Sequence, residues 1–405
     1  MAGPLSHIRV LDLSRVMAGP WAGQLLADLG ADVVKVERPG AGDETRAWGP
    51  PFLKGRDGTD TKESGYFLCT NRAKRSLTLD ITKPEGQKIV RALAARSDIL
   101  LENFKVGTLA RYGLAFSDLK EANPRLIYCS LTGFGQTGPR SGSVAYDFMI
   151  QAMGGLMSIT GEEDGKPGGG PQKIGVPMVD LMTGMYAAVS VLAALAQRDV
   201  SGRGDYIDLS MLDVQAAMLA NQAMNYLLTG RAPRRYGNGH PNIMPQQVFD
   251  CRDGRMVLAV GNDGQYAKLC KVLGHPGLAD ERYTRNEGRV RNRDELLVLI
   301  ARILAERSRT ELLDALEEAG VPAGPINSVP EMFEDPQVKH RGVLIDMDHP
   351  LSDELRQVAN PMRFSEAPIV HDRHPPLLGE HTSDLLHELG FDDAAIDKLK
   401  RDGVV

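Results

Sequence analysis

The segment IRVLDLSRVMAGPWAGQLLADLGADVVKVE (Ile8 to Glu37) decides how the chain folds. Ile8 to Leu13 is a short apolar run, and Trp21, Leu25, Leu26 and Leu29 then recur at helical spacing over Pro20 to Leu29. Asp32 to Glu37 (DVVKVE) returns to a period of two, so the segment reads as a strand, a loop, a helix and a second strand. Downstream, Ser76 to Ile81 (SLTLDI) is a further strand. The helix after it is announced by Thr82 and Pro84 and carries Ile89, Val90 and Leu93 on one face. Ile99 to Leu101 and Leu126 to Leu131 add two more strands. Strands alternating with helices predict an α/β fold built on a large, doubly wound, Rossmann-like parallel sheet.

Val179 to Gln197 is the most apolar stretch and approaches the length of a membrane span, but it contains Asp180, Thr183, Gly184, Tyr186, Ser190 and Gln197. We read it as a buried core helix. A turn at Gly202 to Gly204, a strand at Tyr206 to Ser210 and a helix over Leu212 to Leu228 follow. The texture then changes: residues 230 to 245 hold Pro233, Gly237, Gly239, Pro241 and Pro245, which is linker chemistry. Gln247 to Cys251 and Met256 to Val260 flank a turn at Arg252 to Gly254, and helices are expected at Tyr266 to Val272, Arg293 to Glu306 and Arg309 to Glu318. Pro330 to Pro376 has little regular pattern, and helices near Thr382 to Leu389 and Asp392 to Arg401 close the chain. The expected organisation is a large α/β domain over 1–229, a smaller α+β domain over 230–325, and a linker with C-terminal helices returning to the large domain over 326–405.

Composition narrows the function. The 405 residues carry a formal charge of -6, with 42% hydrophobic and 25% charged residues, an ordinary globular balance. Charges of both signs are interspersed, without the basic stripe of a nucleic-acid binder. Four scattered cysteines offer neither a disulfide framework nor a CxxC site, which fits a reducing compartment. Met1 to His7 lacks the charged and apolar regions of a secretion signal. We therefore expect a cytoplasmic protein with no nucleic-acid or membrane partner.

The first loop, Ser14 to Pro20, stands where a dinucleotide fold carries GxGxxG, but it has one glycine and a proline, which argues against NAD. A helix N-terminus there still attracts anions, and Arg38 follows the next strand over the same crevice. Pro177 marks a helix start and puts Asp180 in its first turn. Burial would raise the pKa of that carboxyl and the helix end would oppose the rise, so the residue is either a nucleophilic carboxylate or a stabiliser of the helix start. Gly261-Asn-Asp-Gly-Gln265 reads either as a mobile, positive-φ loop able to close over a ligand or as a plain turn. Gly165 to Gly170 lacks the GK[ST] ending of a phosphate loop. Nine histidines form no HExxH or i, i+4 pair, so no catalytic metal is expected, and no GxSxG elbow is present.

Several stretches in order, VLDLSRVMAGPWAGQLLADLGADVVKVERPGAGDETR (Val10 to Arg46), NRAKRSLTLD (Asn71 to Asp80), DILLENFKVGTLARYGL (Asp98 to Leu114), NPRLIYCSLTGFG (Asn123 to Gly135), VPMVDLMTGMYA (Val176 to Ala187), SGRGDYIDLSMLD (Ser201 to Asp213) and PPLLGEHTSDLLHELGF (Pro375 to Phe391), resemble the class III coenzyme A transferases. The resemblance implies a CoA-transferase with the CoA site on the large domain and Asp180 as nucleophile. In such enzymes the aspartate attacks an acyl-CoA thioester to give a mixed anhydride and then an aspartyl-CoA thioester, which an incoming carboxylate reverses. By motif position, Val16, Met17 and Ala18 would line CoA, Arg38 would meet its adenosine or phosphate end, and Leu79 would flank the adenine. Asn103, Phe104, Lys105 and Arg111 would complete the wall, with Ala145, Tyr146 and Asp147 near the thioester. The loop Gly261, Asn262, Asp263, Gly264 and Gln265 would close to exclude water.

Met17 replaces the glutamine of formyl-CoA transferases, which argues against formate or oxalate. The resemblance favours succinyl-CoA as donor and a short dicarboxylic or related acid as acceptor, with Arg46, Arg72, Arg75, Arg234 and His240 as possible partners for a distal carboxylate. The related acyl-CoA racemases carry histidine where this chain has Tyr146, so an epimerase is the weaker alternative, beside a non-catalytic CoA-binding protein. No permanently bound cofactor is implied, CoA thioester being substrate. Family members form interlocked homodimers, to which the irregular segments 230–245 and 330–376 are suited.

Overall fold

The alternation of apolar residues along the first strands sends side chains to both faces of a sheet, and in the computed structural model each face is covered. Residues 3–369 and 371–405 are described; Met1 and Ala2, at the start of the segment read for a secretion signal, lie outside them. Six parallel strands, β1 (Arg9–Asp12), β2 (Asp32–Glu37), β3 (Lys74–Thr78), β4 (Ile99–Glu102), β5 (Ile127–Thr132) and β6 (Tyr206–Ser210), lie in the order β3-β2-β1-β4-β5-β6. That is the doubly wound order in which the direction of winding reverses between β1 and β4. The described chain is thus a mixed α/β protein with a large parallel sheet, as the sequence predicts.

One face packs Leu11, Val34, Val36, Leu77 and Leu100 against helix α2 (Pro84–Ala94) and against Leu385, Leu386, Ile396 and Leu399 of the two closing helices. The other packs Val10, Val33, Ile99, Leu101 and Ile127 against α1 (Ala18–Asp28) and against Ala187, Val191, Ala194 and Leu195 of the long helix Met178–Ser201. Gly184 lets these two helices approach, because a Cβ there would stand 2.6 Å from the carbonyl oxygen of Ala18. By length and composition alone the long helix could cross a bilayer. Its face toward the sheet is buried, while Met185, Tyr186, Val189 and Leu192 are exposed.

Two compact units emerge. The first comprises Met1–Leu156, Ile174–Met224 and Pro336–Val405; the second comprises Met157–Lys173 and Asn225–Asp335. The division differs from the expected 1–229, 230–325 and 326–405 chiefly in placing 157–173 with the second unit. There Arg235 ties that segment down through the carbonyls of Ser158 and Glu162, at 3.1 Å each. The second unit holds a three-stranded antiparallel sheet (Ala323–Pro325, Gly254–Ala259, Gln246–Cys251) over a helical core of Leu269, Leu296, Ile300, Leu312 and Leu316. In the first unit, the proline-rich stretch after 330 contains an unexpected hairpin, Leu344–His349 with Ser352–Val358. Its Met347 and Leu355 pack with Leu68 and Leu53.

Candidate active site

The crevice where winding reverses is bounded by the loops after β1 and β4, and side chains stitch those loops together. Asn103 bonds the backbone of Arg15 twice: Arg15 N–H donates to Oδ1 at 2.9 Å, and Nδ2 donates to the Arg15 carbonyl at 2.6 Å. Glu102 accepts the N–H of Phe104 at 2.8 Å and the hydroxyl of Ser130, and burial pushes its carboxyl up to about 7. Beneath the first loop lie two buried ammonium groups. Lys35 donates to Asp43 and to the carbonyl of Ser14, both at 2.9 Å; Lys74 donates to Asp12, Asn71 and the carbonyl of Pro20, each at 2.9 Å. Burial pushes Lys74 down to about 8 against the pull of Asp12. Burial alone would raise Asp12 and Asp43, but the lysines, together with hydrogen bonds from Ser14 to Asp12 and from Thr45 to Asp43, outweigh it and hold both carboxyls below their ordinary values.

A cavity of 240 Å³ opens above this scaffold. Val16, Met17 and Ala18 form one wall, Asn103, Phe104 and Lys105 another, and Ala145, Tyr146 and Asp180 line it as well. Asp180 occupies the first turn of Met178–Ser201, behind Pro177 as the sequence predicts, and is 9% exposed. The helix-start amides, however, are taken by another carboxylate. Oδ2 of Asp147 accepts Val179 N–H at 2.7 Å and Asp180 N–H at 3.2 Å, while its Oδ1 accepts Gln151 Nε2 at 2.6 Å. Asp147 is itself in the first turn of the helix Asp147–Met153 and is not among the cavity's lining residues. Among the described residues no protein donor reaches the Asp180 carboxyl. Burial, and secondarily the charge of Asp147, push it up to about 7. The opposing pull of the helix end, expected from the sequence, is thus spent on a neighbour.

A second cavity, of 670 Å³, lies over the ends of β2 and β3 and is lined by Arg38, Leu79, Asp80 and Trp48. Arg15, Glu44 and Phe104 line both cavities, so the two adjoin. Arg15 pairs with Glu44, and its guanidinium lies 5.1 Å from the Phe104 ring centre. The sequence reading passed over Arg15 and Glu44; their place in the loop after β1 and just beyond Arg38 was the available signal. Gly133 was also missed. It lines the first cavity, and a Cβ there would sit 2.2 Å from the Cβ of Ala145.

Other candidates lie elsewhere. Arg111 lines neither cavity; it is exposed and bonds Thr108 at 3.4 Å. Gly261 to Gln265 belongs to the second unit. Neither of its glycines takes the positive φ that one reading of the loop allowed. Asn262 caps the helix Asp263–Leu273 by accepting Gln265 N–H at 2.9 Å, and Gln265 Oε1 accepts Gly261 N–H at 2.7 Å. Asp263 is held at 2.8 Å by the buried Arg289. Three of the four arginines considered for a distal carboxylate are occupied: Arg46 by Glu37 and Glu63, Arg72 by Asp28, and Arg75 by Asp32 and Glu388. The Arg234 guanidinium lies 4.6 Å from the Tyr236 ring centre, and Arg234 and His240 belong to the second unit. Among the described residues no group of three or more His, Cys, Asp or Glu side chains is placed to hold a metal ion.

The chain belongs to the family III CoA-transferases, whose family model matches residues 5–382. It is accordingly a CoA-transferase, an enzyme acting on CoA thioesters and carboxylic acids. It is 50% identical over 387 residues to the succinate–glutarate CoA-transferase of Agrobacterium fabrum, covering 95% of this chain and 96% of that one. It is 44% identical over 404 residues to the succinyl-CoA:glutarate CoA-transferase of Mus musculus, covering 99% and 90%. Among solved structures, a CAIB/BAIF family protein from Brucella suis superposes with a TM-score of 0.83 at 47% identity, covering 96% of this chain and all of that one.

Proposed function

We propose that the enzyme moves CoA from succinyl-CoA to a short dicarboxylic acid of the glutarate class, with Asp180 as the nucleophile. The observation carrying this reading is that Asp180 is the buried carboxylate of the switch-point cavity, unbonded by protein donors and aimed into space a thioester can occupy. An Asp180 oxygen attacks the thioester carbonyl, the C–S bond breaks, and a mixed anhydride and CoA thiolate result. The thiolate then attacks the aspartyl carbonyl, releasing succinate and leaving an aspartyl-CoA thioester. The acceptor carboxylate repeats both steps in reverse. A carboxylate suits this exchange because acyl groups pass between partners of similar leaving ability, whereas a serine ester would be too stable. A pKa near 7 supplies a substantial ionised fraction at neutral pH with a more basic oxygen than an ordinary aspartate.

The smaller cavity takes the thioester end, between Ala145 and Tyr146 and the loop Val16 to Ala18. The larger takes the nucleotide, with Arg38 toward its phosphates and Leu79 against the adenine. Asn103, whose amide is committed to Arg15, serves that wall by shaping it. CoA enters as substrate, and no resident cofactor is invoked. The active form in this reading is a cytoplasmic, interlocked homodimer. The exposed apolar residues Met185, Tyr186, Val189 and Leu192 on the long helix, with Phe148 and Met149 nearby in sequence to Asp147, support a covered face.

The test is interception. Enzyme turning over succinyl-CoA is quenched with hydroxylamine and mapped by mass spectrometry, with Asp180→Ala as control. A hydroxamate at Asp180 and loss of exchange in the variant are expected; an adduct elsewhere, or full activity in the variant, would overturn the assignment.

A further inference from the structure

We infer that Asp43 is a positioning residue, holding Val16 in the left-handed backbone conformation that shapes the wall of the cavity lined by Asp180. The inference rests on the reading of that cavity as the CoA site. Val16 has φ 71°, a region that β-branched residues avoid because Cβ meets the neighbouring carbonyl oxygen. Such a conformation persists where the surroundings impose it. The imposing group is visible: the Val16 N–H lies 3.2 and 3.3 Å from the two carboxylate oxygens of Asp43. Asp43 is in turn immobilised from behind. Its Oδ2 takes the buried Lys35 ammonium at 2.9 Å, and its Oδ1 takes Thr45 N–H and Oγ1 at 3.0 and 2.8 Å. The same ammonium grips the carbonyl of Ser14, two residues before Val16. The turn is therefore pinned at both ends by one buried ion pair.

The strain has a geometric product. Val16 delivers Met17 and Ala18 to the start of α1 on the cavity wall, where an extended Val16 would point the chain elsewhere. An amide at position 43 would offer one acceptor oxygen instead of two, and its NH₂ group would confront either Lys35 or the Val16 N–H. Strain would then win and the loop would relax.

A double-mutant cycle separates this role from general stability, because glycine adopts φ 71° without penalty. Kinetics with succinyl-CoA are compared for wild type, Asp43→Asn, Val16→Gly and the double variant, with thermal melts confirming the fold. Asp43→Asn is expected to lower kcat/KM roughly 5- to 100-fold, the range that one released strained residue spans. Adding Val16→Gly should recover most of that loss. Additive losses, or an undiminished kcat/KM in Asp43→Asn, would overturn the inference. If Asp43→Asn does not fold, Asp43→Glu, which keeps the charge but displaces it, takes its place in the same cycle and is judged by the same rescue. Asp180→Ala, run in parallel, keeps the readings apart: activity there sinks the site assignment, whereas an additive cycle with Asp180→Ala inactive sinks only the role of Asp43.

Discussion

Replacing Asp180 by asparagine should make the folded protein progressively more resistant to denaturant, relative to wild type, as pH rises. Burial pushes this carboxyl up to about 7 in the folded chain, from the ordinary aspartate value of 3.8. With the folded pKa raised, the unfolded chain releases its proton first. The stabilisation from protonated Asp180 is thus fully present below 3.8 and is lost as pH rises through 7. Each pKa unit corresponds to about 1.4 kcal/mol, so this one group withdraws about 4 kcal/mol of stability across the interval. Asparagine has nearly the same shape and no charge, and it escapes the withdrawal. Its buried amide adds a pH-independent penalty of about 1–3 kcal/mol where it finds no partner. The assay is urea denaturation of both proteins in matched buffers from about pH 4 to about pH 8, in which other titrating groups cancel in the difference. The stability gap should shift in the variant's favour by about 1.4 kcal/mol per pH unit and level off above neutrality. A gap independent of pH would show that Asp180 ionises like a surface aspartate, and the burial argument would fail.

Three further perturbations follow from the same geometry. Asp147→Asn keeps an acceptor for the Val179 and Asp180 amides but removes the charge that helps to raise Asp180. The acidic limb of kcat/KM, expected near 7 in wild type, should move to lower pH, and an unmoved limb would refute the coupling. Asn103→Ala removes both bonds to the Arg15 backbone and should raise KM for the acyl-CoA roughly 10-fold, about 1 kcal/mol or more of lost order; an unchanged KM would show that the loop holds its shape unaided. Gly184→Ala should cost about 1–3 kcal/mol in denaturant unfolding by forcing the long helix off α1. A net gain, as helix propensity alone predicts, would contradict the close approach.

The parallel sheet was legible because its strands and crossover helices differ in hydrophobic period, and Ile8 to Glu37 contains one complete unit. Edges were less so. Strand β3 begins at Lys74, two residues before the apolar run, because Lys74 is paired beneath the sheet with Asp12, and a lone sequence gives no sign that a lysine is buried. The hairpin Leu344–His349 with Ser352–Val358 was hidden by its charges: Asp346, Asp348, Glu354 and Arg356 alternate with few apolar residues. Helix position put Asp180 in its first turn correctly. That Asp147 reaches across thirty-odd positions to take the amides is a tertiary fact, with no local spacing to announce it. The same holds for Asp43: nothing about an aspartate in a glycine-rich turn indicates that it pins Val16.

The two carboxylates at this helix start divide a task that neither could perform alone. A lone aspartate in the first turn would satisfy the free amides itself, and hydrogen bonds of that kind hold a carboxylate ionised but tied down and weakly basic. Here Asp147 accepts those hydrogen bonds, and Asp180, relieved of them, presents its oxygens to the cavity. Proximity then does more than vacate the site. The charge of Asp147 adds to burial in raising the Asp180 pKa, so the residue that caps the helix also makes its neighbour more basic. On this reasoning Asp147 is required even though it is not among the residues lining the Asp180 cavity. Its removal would return the helix amides to Asp180 and convert the oxygen proposed as nucleophile into a structural one.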